Sequence, residues 1–290
     1  MKTWTILIGA DELAGAIDRC VVIDCRHDLT NPPLGRAAYD AAHIPGARFM
    51  SQDTDLASAK NGRNGRHPLP DPDALAQRLR AAGLHRGQQL VACDQANGLY
   101  ASRLWWLARW LGHREVAVLD GGVDAWQRAG YPLTAEVPLP AAPGDFVRGP
   151  ALAEAMDVSA MVENLASRRR LVIDARAAER YRGEVEPMDP VAGHIPGALN
   201  HVSSQNVRPD GRFKPAEVLR ASFEALLAGR PAGDVVHSCG SGISACHNLI
   251  AMEAAGLTGS RLYGGSWSEW VADPSRPVAT GPSPDGEARG

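Results

Sequence analysis

Three short motifs occur twice in this chain, in the same order and at similar spacings in its two halves. The pairs are VIDCR at 22–26 with VIDAR at 172–176, AHIPGA at 42–47 with GHIPGA at 193–198, and LDGG at 119–122 with LYGG at 262–265. A tryptophan, Trp126 or Trp270, follows each copy of the third motif. Such an ordered repeat indicates one fold used twice. The length of 290 residues agrees, because it exceeds what one average core serves.

Both halves alternate short runs of β-branched residues with amphipathic stretches. Buried parallel strands are predicted at 21–24, 90–93 and 116–119 in the first half, and at 171–174, 234–238 and 260–263 in the second. Helices are predicted between them, for example at 74–82, 101–111 and 217–228. The alternation predicts an α/β fold in which each half has a central, mostly parallel sheet flanked by helices. Ligands of such sheets bind beyond the carboxyl ends of the strands.

A proline-rich stretch separates the two halves. Pro138, Pro140 and Pro143 lie close together, which is typical of a semi-rigid linker and not of a helix or a central strand. We therefore predict a first domain at 1–136, a linker at 137–149 and a second domain at 150–280. Residues 281–290 are rich in Gly, Pro and charge and are predicted to form a mobile tail.

The composition narrows the class of protein. A formal net charge of -3 gives no reason to expect a nucleic acid or an anionic membrane as a partner. No apolar run is long enough to cross a bilayer, and the apolar part of the N-terminus is short for a signal peptide. The five cysteines are an odd number without metal-type spacing, which fits free thiols in a reducing compartment. We expect a cytoplasmic protein with neither a metal nor an organic cofactor.

Cys239 is the position at which the sequence most clearly suggests chemistry. It follows a predicted strand and opens the loop CGSGI, after which a helix is predicted to begin near Ser244. Backbone N–H groups in such a loop, together with the helix dipole, stabilise a thiolate. The alternative is a buried structural cysteine beside a tight turn, but glycines and serines are poor core material. The loop therefore predicts a nucleophile or a sulfur carrier.

Taken together, the paired motifs and the Cys-Gly-Ser-Gly loop resemble the tandem-domain rhodanese sulfurtransferases over nearly the whole chain. The resemblance implies two rhodanese-like domains, catalysis in the second, and a persulfide carried on Cys239. Aligning the repeats places Asp94 opposite Cys239, and a carboxylate cannot carry sulfur. The first domain is therefore expected to be non-catalytic, with Cys93 at a strand end and facing the core.

The composition of the loop bears on the sulfur donor. Rhodaneses that use thiosulfate, a compact dianion, typically carry Arg or Lys directly after the cysteine, whereas residues 240–244 are Gly, Ser, Gly, Ile and Ser. Such a loop is similar to that of 3-mercaptopyruvate sulfurtransferases. This resemblance implies that four loop residues bind the donor: Gly240, Gly242, Ile243 and Ser244. A thiosulfate:cyanide sulfurtransferase is the alternative.

One arginine matches the family and another is missing. Arg180 occupies the position of the family's first carboxylate-binding arginine, and a planar guanidinium can hold a carboxylate through two hydrogen bonds. The alternative for Arg180 is a surface ion pair with Glu179 or Glu184. Related enzymes often have a second arginine after a Glu-Pro stretch, where this chain has Met188.

Arg182 could replace that second arginine only if its side chain turned inward. If it points to solvent, the carboxylate end of the donor lacks one of its expected partners.

The resemblance also points to a proton relay. Ser241 lies two residues after the cysteine, where its hydroxyl could contact the donor or serve only to stabilise the turn. Asp53 and His67 match residues that would complete a Ser–His–Asp relay, in which the histidine moves a proton and the carboxylate orients it. A loop aspartate and a loop histidine are otherwise simply solvated.

Two other classes of function are disfavoured. A cysteine phosphatase needs an arginine at the sixth position after its cysteine, and that position here is Ala245. A non-catalytic binding module would not require the intact Cys239 loop. The resemblance implies a small-molecule sulfur donor and, as the acceptor, thioredoxin, a low-molecular-weight thiol or cyanide.

Overall fold

The computed structural model describes residues 2–139 and 142–286. Within them the chain divides into two compact units, each built from segments that are not contiguous in sequence. Of the described residues, the first unit comprises 2–58, 70–139, 142–153 and 207–213, and the second comprises 59–69, 154–206 and 214–286. A short segment from the first half of the sequence, residues 59–69, therefore belongs to the second unit.

The first unit is a five-stranded parallel sheet in the order β1-β5-β4-β2-β3. Its strands are β1 (Leu7–Ile8), β2 (Cys20–Asp24), β3 (Arg48–Phe49), β4 (Gln89–Cys93) and β5 (Val116–Leu119), and its helices are α1 (Ala10–Ala14), α2 (Pro33–Ala41), α3 (Pro72–Ala81), α4 (Ala101–Trp110) and α5 (Gly122–Arg128). Local chemistry fixes where helices start. The Asp71 carboxylate, for example, accepts N–H groups of the first turn of α3, and Pro72 needs no hydrogen bond there.

The second unit repeats this architecture, with the strand order β6-β10-β9-β7-β8, again all parallel. Its strands are β6 (Ala155–Met156), β7 (Leu171–Asp174), β8 (Leu199–Asn200), β9 (Val235–Ser238) and β10 (Arg261–Tyr263), and its helices are α6 (Val158–Ser167), α7 (Ala178–Arg182), α8 (Ala216–Leu227), α9 (Ser244–Ala254) and α10 (Ser266–Trp270). The predicted α/β class with two tandem sheets flanked by helices is confirmed.

The repeated motifs have matching structural roles in the two cores. Trp126 and Trp270 are almost fully buried, and each indole N–H donates to a backbone carbonyl, that of Pro132 or Pro277. In the VID-x-R motif, the carboxylate that ends β2 or β7 pairs with the arginine two residues later, in both units. The motifs therefore recur because each unit needs the same anchors at its core.

The predicted linker and tail are only partly described. Pro140, Ala141 and residues 287–290 lie outside the described residues. Phe146 of the predicted linker is buried in the first unit, and its N–H donates to the Leu84 carbonyl. In the predicted tail, the Pro284 carbonyl accepts the Gly197 N–H at 2.7 Å within the second unit. Backbone hydrogen bonds therefore tie down parts of both segments.

Every helix in residues 2–139 and 142–286 falls short of the length and apolar character that a membrane span requires.

Candidate active site

Cys239 lies directly after β9, in a loop that leads into α9. Its side chain is 1% exposed, and the Gly242 N–H donates to the sulfur at 3.1 Å. Gly242 has a φ of +80°, a conformation that costs glycine little and turns its N–H toward the sulfur. The sulfur therefore lies at the beginning of a buried helix, facing a backbone donor, which favours a negative charge on it.

The two residues that follow the third repeated motif, Ser266 and Trp267, hold the backbone of this loop. The Cys239 N–H donates to the Ser266 hydroxyl at 3.1 Å, and the Cys239 carbonyl accepts the Trp267 N–H at 2.9 Å. Ser266 itself has a φ of +53°, an uncommon backbone conformation for a residue with a side chain. These contacts fix the backbone on which the sulfur is carried.

The remaining loop residues occupy defined places around the cysteine. Ile243 is buried and its carbonyl accepts the Cys246 N–H, so it begins the hydrogen bonding of α9. Ser244 is the first residue of α9 and is half-buried. The Gly240 carbonyl accepts the Ser268 N–H at 3.0 Å. Donor binding by these residues stays a prediction.

Ser241 and His67, two members of the predicted relay, are in direct contact. Their Oγ and Nδ1 atoms are 2.8 Å apart, and each residue is only 5% exposed. Burial of the pair makes it a hydrogen bond shielded from water, unlike a solvated loop histidine. Asp53 is a half-buried residue of the first unit whose N–H donates to the Ser51 hydroxyl. Its part in the relay stays a prediction.

The segment 59–69 brings His67 to the loop because it packs closely against residues 264–268. A Cβ on Gly65 would lie 2.8 Å from the Gly265 carbonyl oxygen, so only glycine allows this approach. The neighbouring Arg66 N–H donates to the Ser268 hydroxyl at 3.0 Å. At the end of the segment, Leu69 covers Gly264, whose missing side chain leaves room for it.

Arg180 lies on α7 with its guanidinium close to the loop. The group would be 3.6 to 3.7 Å from a Cβ on Gly240, the residue directly after the cysteine. Glu186 orients it, with an Nη2–Oε1 distance of 2.6 Å. The surface pairing with Glu179 or Glu184 that the sequence left open is not the one observed.

Arg182 pairs instead with Glu184 at 2.7 Å, in an exposed contact. Its side chain therefore does not replace the missing second arginine.

The residue after Met188 contacts a cation, Arg66, that was not predicted from the sequence. The Met188 N–H donates to Glu186, and the next residue, Asp189, forms an ion pair with Arg66 of the segment 59–69. Burial raises the pKa of the Asp189 carboxyl, and the hydrogen bond from Arg66 opposes that rise. The only sequence signal for Arg66 is its position beside His67.

In the corresponding loop of the first unit, the carboxylate of Asp94 accepts backbone hydrogen bonds from the loop and from the start of α4. Asp94 follows β4 as Cys239 follows β9, and it accepts the N–H groups of Gly98, Tyr100 and Ala101 at 2.9 to 3.2 Å. Burial raises the pKa of Asp94, while these three hydrogen bonds lower it. These three N–H groups are thus satisfied by Asp94 itself. Cys93 ends β4 with its side chain fully buried, and burial raises the pKa of its thiol well above the usual value.

Comparison with known proteins identifies the family to which these two domains belong. The rhodanese-like domain, as a family model, matches the chain twice, at residues 9–129 and 156–273. The chain belongs to the rhodanese family. A probable 3-mercaptopyruvate sulfurtransferase of Pseudomonas aeruginosa is 48% identical over 280 residues, covering 95% of this chain and 98% of the relative.

Two further proteins, both named as sulfurtransferases, support this placement. A putative thiosulfate sulfurtransferase of Mycobacterium tuberculosis is 36% identical over 295 residues, covering 95% of this chain and 97% of its own. The solved structure of 3-mercaptopyruvate sulfurtransferase from Leishmania major has a TM-score of 0.82 at 28% identity, covering 92% of this chain and 74% of that one. This rhodanese is thus an enzyme, a sulfurtransferase that takes sulfur from a small-molecule donor and passes it to an acceptor.

Proposed function

We propose that this rhodanese transfers the sulfur of 3-mercaptopyruvate to Cys239 as a persulfide, and then to a thiol acceptor or to cyanide. The observation that carries the proposal is the buried contact between Ser241 and His67, beside a cysteine loop without a cationic side chain. A donor that leaves as a carbanion needs a proton source of this kind. The P. aeruginosa relative, named for the same donor, supports the choice.

In the first half-reaction the Cys239 thiolate attacks the thiol sulfur of the donor. An S–S bond forms, the donor's C–S bond breaks, and the bonding electrons stay on the carbon as the enolate of pyruvate. The proton of the donor's thiol is transferred to that carbon, which gives pyruvate and leaves Cys239 as an anionic persulfide. The Gly242 N–H and the start of α9 favour the anionic sulfur throughout.

In the second half-reaction an acceptor thiolate attacks the outer sulfur of the persulfide. The S–S bond breaks toward Cys239, which returns as a thiolate, and the acceptor leaves as a persulfide. Cyanide takes the same sulfur as thiocyanate. A small thiol and thioredoxin both present the required thiolate. Two displacements at one cysteine should give ping-pong kinetics.

Ser241 and His67 move the proton in the first half-reaction. The hydroxyl contacts the donor and the imidazole ring exchanges a proton through it, because the two groups share a hydrogen bond of 2.8 Å. Asp53 is retained as the carboxylate that the family resemblance predicts for this relay. Arg180 binds the donor's carboxylate, while backbone groups of Gly240, Gly242, Ile243 and Ser244 surround the sulfur.

The experiment that tests the proposal is a comparison of two donors under steady state. We expect kcat/KM for 3-mercaptopyruvate to exceed that for thiosulfate, with either cyanide or a small thiol as the acceptor. Pyruvate must appear in equal amount to the transferred sulfur. A higher kcat/KM for thiosulfate, or sulfur transfer without pyruvate, would refute the assignment of the donor.

Thiosulfate sulfurtransfer is the second candidate because of a specific observation. Two guanidinium groups, those of Arg180 and Arg66, lie next to Gly240 although the loop itself is neutral. Such cations could hold the oxygens of a dianion. The M. tuberculosis relative carries a thiosulfate name. The donor comparison decides between the two.

Replacing His67 by Gln should slow turnover of 3-mercaptopyruvate by about 100-fold, the lower end of what general acid–base catalysis contributes. Transfer from thiosulfate should change far less, because sulfite leaves without needing a proton. The measurement is kcat for both donors in the variants H67Q and S241A and in the double variant. Since the two residues act as one relay, the double variant should be no slower than the slower single variant.

His85→Gln is the matched control, because His85 is an exposed histidine of the first unit. It should leave both donors unaffected. An equal loss for both donors in H67Q would mean that His67 supports the fold of the loop and does not move a proton.

A further inference from the structure

The first unit contains a cavity of about 350 Å³, within the usual range of small-molecule sites, which is on the order of 300–1,000 Å³. Three arginines line it from three consecutive elements: Arg36 of α2, Arg48 of β3 and Arg78 of α3. Most of the other lining residues are apolar or aromatic, among them Phe49, Met50, Ala82 and Pro138. The proposed sulfur transfer uses none of these residues.

The charges around this cavity are unbalanced. Among the described residues that line it, Asp55 has the one carboxylate, against three guanidinium groups. That carboxylate is partly occupied, because its Oδ2 atom accepts the Ser51 N–H at 2.8 Å. Its Oδ1 atom lies 3.9 Å from Arg78 Nε, which is beyond hydrogen-bond distance. Asp40 pairs with Arg36 from outside the lining and still leaves an excess of positive charge, which attracts an anion.

Arg36 is held in place without using its outer N–H groups. Its Nε donates to Asp40 at 2.8 Å, one turn later in α2. Its guanidinium carbon lies 5.7 Å from the centroid of the Tyr39 ring and 5.6 Å from that of Phe49, within the range of a cation–π contact. Neither Nη atom donates a hydrogen bond to a residue within 2–139 or 142–286. Both are available to a ligand.

Arg48 and Arg78 are held by backbone carbonyls and also retain donors. Arg48 Nη2 donates to the Leu139 carbonyl at 2.8 Å, and Arg78 Nη1 donates to the Asp55 carbonyl at 2.9 Å. A neutral carbonyl orients a guanidinium group but does not cancel its charge. The other Nη atom of each arginine makes no hydrogen bond within the described part of the chain. Three oriented guanidinium groups around one cavity therefore keep N–H donors for a ligand.

The second unit shows that the fold itself does not require these cations. Tyr39 and Tyr181 are equivalent, because each stacks on the histidine of the HIPGA motif and donates to the carbonyl of the alanine that ends it. The position three residues before this tyrosine and the position directly after the motif can therefore be compared. The equivalent pairs are Arg36 with Ala178 and Arg48 with Leu199. Both cations are thus particular to the first unit.

We propose that this cavity binds a small phosphate monoester with an aromatic or apolar body. Guanidinium groups from three elements can donate to the three terminal oxygens of the phosphate, and planar N–H pairs suit this group. A carboxylate offers two oxygens and one charge, so it matches the three arginines less well. The apolar lining receives the body of the ligand. The inference does not rest on the proposed function, because it concerns the first unit alone.

The test is calorimetric titration of the full chain with phenyl phosphate, which joins a phosphate monoester to an aromatic ring. We expect saturable binding at one site per chain. Inorganic phosphate, phenol and benzoate each lack part of that chemistry and should bind at least about 10-fold more weakly, the effect of losing hydrogen bonds to a charged group or an apolar contact. An absence of saturable binding overturns the proposal. Equal affinity for inorganic phosphate or for benzoate does so as well.

Variants that copy the second unit locate the ligand. Arg36→Ala and Arg48→Leu should each weaken binding of phenyl phosphate about 10-fold or more. Arg86→Gln is the matched control, because Arg86 is an exposed arginine of the first unit outside the lining, and it should leave the affinity unchanged. Unchanged sulfur transfer and thermal unfolding in R36A and R48L would show that both variants are folded. Wild-type affinity in both of them overturns the proposal.

A further variant distinguishes this cavity from the arginines beside the cysteine loop. Arg180→Gln should leave the affinity for phenyl phosphate unchanged, although it should impair sulfur transfer. If R180Q loses the ligand while R36A and R48L retain it, the ligand binds in the second unit and the proposal is refuted. None of these titrations depends on which sulfur donor the enzyme uses.

Discussion

Replacing Cys239 by Ser should abolish sulfur transfer, with kcat falling more than about 1,000-fold for every donor and acceptor pair. The hydroxyl is nearly isosteric and keeps the contact with the Gly242 N–H, so the loop should stay folded. It is a much weaker nucleophile and forms no persulfide. The measurement is turnover with 3-mercaptopyruvate and with thiosulfate, together with the mass of the protein after donor is added without acceptor.

The wild-type enzyme should gain the mass of one sulfur atom on the peptide that contains Cys239, and C239S should gain none. Cys20→Ser is the matched control, since Cys20 is a partly exposed thiol of the first unit with no place in the loop. It should behave as the wild type does. Sustained turnover by C239S would show that Cys239 does not carry the sulfur, and the other cysteines would then have to be tested.

The parts of the molecule that could be predicted from sequence are those with a local signal. The six strands predicted at the centres of the two sheets are all present, because each contains a short, mostly buried apolar run such as Val116–Leu119. The outer strands Leu7–Ile8 and Ala155–Met156 are two residues long, and a run that short carries no periodicity. They form because a neighbouring strand offers backbone partners.

The same distinction applies to the site. The Cys239 loop could be predicted because its strand, its glycines and its helix follow one another directly in the sequence. Arg66 lies in a Gly-, Asn- and Arg-rich stretch that looks solvated, and only the packing of residues 59–69 within the second unit brings it to Gly240. The sequence repeat does not predict this arrangement, because two contiguous repeats suggest that each unit is built from one half of the chain alone.

Arg176 carries the prediction with the largest expected effect on stability. Its side chain is 1% exposed, pairs with Asp174 at 2.7 Å and Glu186 at 3.2 Å, and donates to the Gly193 carbonyl. Both carboxylates are 3% exposed. Arg176→Met would leave two buried charges without this partner, so we expect the second unit to lose about 3–5 kcal/mol of unfolding free energy.

The measurement is urea denaturation combined with hydrogen exchange resolved along the chain. In R176M, exchange should accelerate in β7 and β9. Arg26→Met is the matched control, because Arg26 pairs with the buried Asp24 in the corresponding place of the first unit. That variant should accelerate exchange in β2 and β4 instead. Equal protection in R176M and the wild type would show that water or a rearranged Arg180 compensates the two carboxylates.

A charge-removed variant tests the cause. If the loss in R176M comes from unpaired buried carboxylates, adding Asp174→Asn and Glu186→Gln should recover part of the lost free energy, since the buried charges are then absent. Glu186 also orients Arg180, so R176M should raise KM for the donor even under conditions where the variant is fully folded. A stability loss that persists unchanged in the charge-removed variant would instead assign the role of Arg176 to packing against Trp267, whose ring centroid lies 4.7 Å from the guanidinium carbon.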